Sequence, residues 1–206
     1  MTISMSEILC VTNRALCMEP FLERIREVAA ARPAGIILRE KDLPSADYRA
    51  LARAVADLCA AEHCRCILHT FAADAIALGV DAVHLPLDVL RGMPDAQKRH
   101  FSVLGASCHS VAEAREAQAL GCTYLTAGHI FETDCKKGLP GRGLAFLHEV
   151  CRSVSVPVYA IGGIGAGNLA SVLEAGAAGA CVMSGAMRCG DPAAYFAELK
   201  RAGDER

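Results

Sequence analysis

Val156-Pro157-Val158-Tyr159-Ala160-Ile161-Gly162-Gly163-Ile164, followed one helix later by Ala180-Cys181-Val182-Met183-Ser184-Gly185, decides the fold of this chain. Both stretches are short apolar runs, at strand length, and both end in glycine. Between them, residues 167–175 carry a helical pattern. A strand, a helix and a second strand pair in parallel, because the helix carries the chain back across the sheet. A doubly wound open sheet would place its glycine-rich phosphate loop after the first strand. The end of the first strand, Val11-Thr12-Asn13-Arg14, holds no glycine. A closed barrel uses the loops after its seventh and eighth strands for phosphate, which is where these glycines fall.

The same alternation runs outward through the whole chain. Strands are expected over 8–13, 35–41, 66–70, 82–86, 103–109, 123–129, 156–163 and 180–184. Helices are expected over 19–31, 46–61, 72–78, 89–99, 111–120, 144–153, 167–175 and 192–201. Ser110 with Glu113 three residues later reads as a capping box, and Gly121 as the stop of that helix. Eight βα units in 206 residues, about 26 each, make an α/β protein with one domain over 1–206, a single (β/α)8 TIM barrel near the lower size limit of the fold.

Composition excludes other classes. With 53% hydrophobic residues, 21% charged residues and a net charge of −2, the chain is neither disordered nor drawn to nucleic acid or anionic membranes. No run of about 20 consecutive apolar residues suggests a membrane span. The first basic residue is Arg14, so no secretory leader is expected and the reading is cytoplasmic. Eleven cysteines, an odd number without a CxxC pair, are read as reduced and mostly structural. His63-Cys64-Arg65-Cys66 has the wrong spacing for zinc, and no metal is expected there. Alanine-rich helical stretches such as 51–61 suit either a homo-oligomer or close packing on the barrel.

Barrel chemistry sits at the carboxyl ends of the strands. Gly162, Gly163, Ser184 and Gly185 therefore form the candidate phosphate cradle, where bare backbone N–H groups can approach an anion. Arg39 and Lys41 share one face of their strand end, with Glu40 on the other, and offer two cations to a carboxylate or a second phosphate. His69, His84, His109 and His129 fall at or near the ends of strands three to six. Any one of them could exchange protons near neutral pH. The polar segment 128–143 is long for a strand-to-helix connection and reads as a lid, with Thr133, Lys136 and Lys137 as anion donors.

Gly128-His129-Ile130-Phe131-Glu132-Thr133-Asp134-Cys135-Lys136-Lys137-Gly138-Leu139 resembles the strand-six signature of the TenI family of thiazole tautomerases. Leu38-Arg39-Glu40-Lys41, Ser107-Cys108-His109-Ser110 and the two glycine-ended strands stand in that family's order. The related thiamine phosphate synthases share the barrel but carry Asn-Asp after strand three and Gly-Gln-Glu-Asp after strand four, acids that hold Mg²⁺. Here those places read His69-Thr70 and His84-Leu85-Pro86-Leu87-Asp88, leaving Asp88 alone. The resemblance implies an isomerase that aromatises a phosphorylated carboxythiazole, without metal or organic cofactor. It implies His129 as proton shuttle, the cradle named above for phosphate, and Arg39, Lys41, Thr133, Lys136 and His109 as substrate contacts. Thiamine phosphate synthase, or a non-catalytic binder of thiamine-pathway phosphates, is the alternative.

Overall fold

The computed structural model describes residues 7–133 and 138–204. Within them the barrel wall is built of short parallel strands. They are β1 (Glu7–Val11), β2 (Gly35–Leu38), β3 (Cys66–His69), β4 (Ala82–Pro86), β5 (Val103–Cys108), β6 (Tyr124–Gly128), β7 (Val158–Ile161) and β8 (Gly179–Val182). All pair in parallel in sequence order, and β8 returns to β1 through Glu7↔Gly179 and Cys10↔Val182. The architecture is a single (β/α)8 TIM barrel.

Period-two alternation divides the strand residues between two cores. Leu9, Val11, Ile37, Ile67, Ala82, Tyr124, Tyr159 and Cys181 fill the barrel interior. Their neighbours, such as Ile8, Cys10, Ile36, Leu38 and Leu68, face the helical ring. Burial on both sides explains why the strands read as continuous apolar runs. The interior is tight: a Cβ at Gly105 would lie 2.2 Å from the Tyr124 ring, so that strand can pass only as glycine.

The helices are α1 (Phe21–Ala30), α2 (Ser45–Ala61), α3 (Ala72–Leu78), α4 (Leu87–Arg91), α5 (Asp95–Lys98), α6 (Val111–Ala119), α7 (Gly143–Ser153), α8 (Ala166–Glu174), α9 (Ser184–Arg188) and α10 (Pro192–Asp204). In α2 the buried stripe is Tyr48, Ala52, Val55 and Cys59, at helical spacing. Three expectations are corrected. The helix expected over 89–99 is two short ones, because Pro94 lacks an N–H and disfavours helical backbone at Met93. The strand expected over 35–41 leaves the sheet at Leu38, so Arg39 to Lys41 belong to a loop. At α6 the Ser110 hydroxyl accepts from Glu113 N–H, but the Glu113 carboxylate accepts from the His109 amide, so the reciprocal bond of a capping box is displaced by one residue.

The ten cysteines among the described residues are free thiols. Burial raises the thiol pKa values of Cys108 and Cys122 to about 12. Among the described residues no helix is long and apolar enough to cross a membrane.

Candidate active site

At the carboxyl ends of the strands lies a cavity of about 790 Å³. A second cavity, about 650 Å³, opens at the opposite end beside Cys59, His63 and Cys64, away from the strand-end polar groups. The first brings together Arg39, Lys41, His109, His129, Thr133, Gly162, Gly163, Ser184 and Gly185 from the loops after five strands, β2, β5, β6, β7 and β8. Lys136, with Asp134, Cys135 and Lys137, lies outside the described residues.

The β2 loop sorts its charges by face. Arg39 and Lys41 line the cavity. Glu40 is buried behind them, accepting from the Thr12 hydroxyl at 2.7 Å and from Arg14 N–H at 3.1 Å. Arg14 also grips Asp42, at 2.7 Å from its Nη1. This charge-assisted lattice ties the first two strand ends together and leaves the cations on the cavity side.

His129 follows a cis peptide and is only 7% exposed. Its Nε2 lies 3.0 Å from the Pro140 carbonyl and 3.4 Å from that of Leu139. Carbonyl oxygens only accept, so Nε2 carries the hydrogen in the neutral ring and Nδ1 carries the lone pair. Nδ1 is buried and has no hydrogen-bond partner among the described residues. The base of the β6 loop is stitched to β7 through Ile130 N–H to Ile161 O at 2.9 Å and Phe131 N–H to Gly162 O at 3.0 Å. Gly162 has φ +107°, and a Cβ there would lie 2.6 Å from the His129 Cβ. The glycine is thus required for the two loops to meet, besides baring backbone to the cavity.

Deeper in the barrel, His69 and His84 stack with ring centroids 5.8 Å apart. The His84 pKa is lowered to about 3, chiefly by burial and then by Arg39. That of His69 is lowered to about 3 by burial, His84, Arg39 and Lys41. Both rings are therefore neutral imidazoles. His84 Nδ1 meets the Tyr124 hydroxyl at 2.9 Å, and Nε2 meets Ser107 Oγ at 2.8 Å and Thr126 Oγ1 at 3.4 Å. His109 sits at the rim with Nδ1 3.3 Å from the Gly128 carbonyl. Sequence reasoning passed over Ser107, Thr126 and Tyr124 as site residues. Their signal was polar side chains at alternate, inward positions of otherwise apolar strands.

Among the described residues, the carboxylates on the cavity wall are Asp88 and Glu113, and Glu113 is taken by the His109 amide. A hard divalent cation clamping a diphosphate needs converging oxygen ligands. The neutral imidazoles of His69 and His84 stand where strands three and four reach the cavity, so the described residues do not fit such an ion.

The chain matches the family model TMP-TENI, described as thiamine monophosphate synthase, over residues 8–186. It is 34% identical over 207 residues to the thiamine-phosphate synthase of Roseiflexus sp. (strain RS-1), covering 95% of this chain and 86% of that one. Against the thiamine-phosphate synthase of Desulfitobacterium hafniense (strain Y51) it is 36% identical over 191 residues, covering 89% and 90%. A solved thiamine phosphate pyrophosphorylase from Pyrococcus furiosus superposes with a TM-score of 0.84 at 29% identity, covering 98% of this chain and 97% of that chain. These relatives carry the name that the sequence reading held as its alternative, not that of a tautomerase.

Proposed function

The chain belongs to the TMP-TENI family, and from that premise we propose that it serves thiamine biosynthesis by moving a proton, as a thiazole tautomerase. The observation that carries this reading is His129, a buried imidazole in the cavity wall whose Nε2 hydrogen is committed to backbone and whose Nδ1 lone pair has no partner among the described residues. Such a nitrogen is a base held ready for one proton.

The reaction then runs as follows. Gly162, Gly163, Ser184 and Gly185 hold the phosphate through backbone N–H groups, and Arg39 and Lys41 face the carboxylate. Nδ1 of His129 takes the proton from ring C2 of the non-aromatic carboxythiazole. The electron pair moves through the ring to the exocyclic double bond, and the imidazolium returns its proton to the exocyclic carbon. The Pro140 carbonyl holds the ring in one orientation through both steps. Aromatisation supplies the driving force. Thr133 and His109 contact the substrate from the rim, and Lys136 is proposed as a further anion donor.

The names of the relatives favour a second reading, the transferase that joins a pyrimidine diphosphate to the thiazole phosphate. Purified protein with the unaromatised thiazole phosphate in EDTA separates the two. Aromatisation that persists in chelator and collapses in His129→Ala supports the isomerase; a rate no faster than background overturns it. Thiamine phosphate formed from the two synthase substrates with Mg²⁺ moves the assignment to the transferase. Tight product binding without turnover moves it to a non-catalytic binder.

A further inference from the structure

Tyr124, His84, Ser107 and Thr126 form a chain of hydrogen-bonding groups from the middle of the barrel to the cavity floor. Consecutive links measure 2.9, 2.8 and 3.4 Å, and the 3.4 Å contact of Thr126 with His84 Nε2 shares one of the same hydrogens. A neutral His84 and three hydroxyls contribute four polar hydrogens to three links, one for each group in turn. One hydrogen must therefore leave the chain, either at Tyr124 or at the Ser107–Thr126 hydroxyl pair, within which Thr126 donates to Ser107.

At the lower end this would orphan the Tyr124 hydroxyl hydrogen. Tyr124 is 6% exposed and has no other hydrogen-bond partner among the described residues, and its ring packs edge-on against Tyr159. A buried hydroxyl left unpaired is costly. The upper end opens on the cavity, which Ser107 and Thr126 line and Tyr124 does not. Ser107 is the less buried of the two.

We infer that Tyr124 and His84 are positioning residues that fix the direction of this chain and make Ser107 an obligate hydrogen-bond donor to the ligand. Tyr124 donates to Nδ1, the Nε2 hydrogen goes to Ser107 Oγ, and Thr126 donates to the same oxygen. The Ser107 hydrogen then has only the cavity to point into. A ligand must present an acceptor there, a ring nitrogen or a carboxylate oxygen, and one offering a donor is rejected. This rests on the tautomerase reading only for the identity of the ligand.

The test is a ¹⁵N spectrum of histidine-labelled, ligand-free protein, with His84 assigned by His84→Gln. The expected result is a protonated Nε2 and an unprotonated Nδ1. A protonated Nδ1 overturns the inference whatever the ligand proves to be. Calorimetric titration with the aromatic carboxythiazole phosphate is the second measurement. Ser107→Ala is expected to weaken binding about tenfold, the size of one hydrogen bond. Tyr124→Phe, outside the cavity, is expected to weaken it several-fold and to blur the single tautomer. Unchanged binding in Ser107→Ala overturns the donor role. Failure of the unmodified protein to bind the product counts against the tautomerase reading alone, since the ligand-free spectrum still decides the relay.

Discussion

Replacing Gly162 with alanine isolates what joins the phosphate loop to the proposed base. Two costs add. The backbone there has φ +107°, which an L-residue adopts only with strain of about 1–3 kcal/mol. The new Cβ would lie 2.6 Å from the His129 Cβ and 3.0 Å from its Cα. Neither neighbour can retreat easily, because Phe131 N–H is bonded to Gly162 O at 3.0 Å. Overpacking of this kind costs about 1–3 kcal/mol more. The sum, roughly 4 kcal/mol, is a large part of a typical stability of about 5–15 kcal/mol. At roughly 2–4 °C per kcal/mol for a chain of this size, Tm is expected to fall by about 8–16 °C. The control is Gly167→Ala in α8, where nothing lies within 4 Å of the added methyl. There the better helix former is expected to stabilise by about 0.5–1 kcal/mol. Urea unfolding of both variants reads the difference. Opposite signs are expected; a Gly162→Ala protein within about 0.5 kcal/mol of the parent would refute the reasoning.

The Tyr48 hydroxyl donates to Leu38 O at 2.7 Å and accepts from His69 N–H at 3.0 Å, tying α2 to the ends of β2 and β3. Tyr48→Phe keeps the ring and strands both groups, so unfolding measurements should show a loss of about 1–3 kcal/mol, and a neutral result would count against the bridge. The depressed pKa values of His69 and His84 make stability depend on acid: the native rings stay neutral while the unfolded ones, at 6.5, take protons. Stability is therefore fully present above about pH 6.5 and is lost as pH falls toward about 3, by roughly 2 kcal/mol per histidine between about pH 7 and about pH 5. Denaturant titrations at those two pH values test this; His69→Gln should flatten the slope, and an equally steep variant would contradict the assignment.

The glycine-ended strands, the spacing of apolar runs and the lack of glycine after Val11 carried the barrel, because strand and helix periods are local properties of the chain. Arg39 and Lys41 do lie opposite Glu40, as alternation predicts, although the three residues stand beyond the end of β2. Boundaries were less legible: the strand over 35–41 ends at Leu38, where its ladder with β3 stops at the pair Leu38↔Leu68. Pro94 was a visible breaker inside 89–99, yet the apolar pattern across it concealed the break.

Among four strand-end histidines, the sequence could not say which holds a free ring nitrogen. That depends on partners far along the chain, such as Tyr124 for His84, forty residues away. Pro140, by contrast, reaches His129 only because the loop folds back on itself. Residue types, their order and their faces were determined by the sequence alone. Which face looks into the cavity, which imidazole is saturated and which keeps a lone pair were decided by barrel closure, because only the closed register brings separate strands within hydrogen-bonding distance.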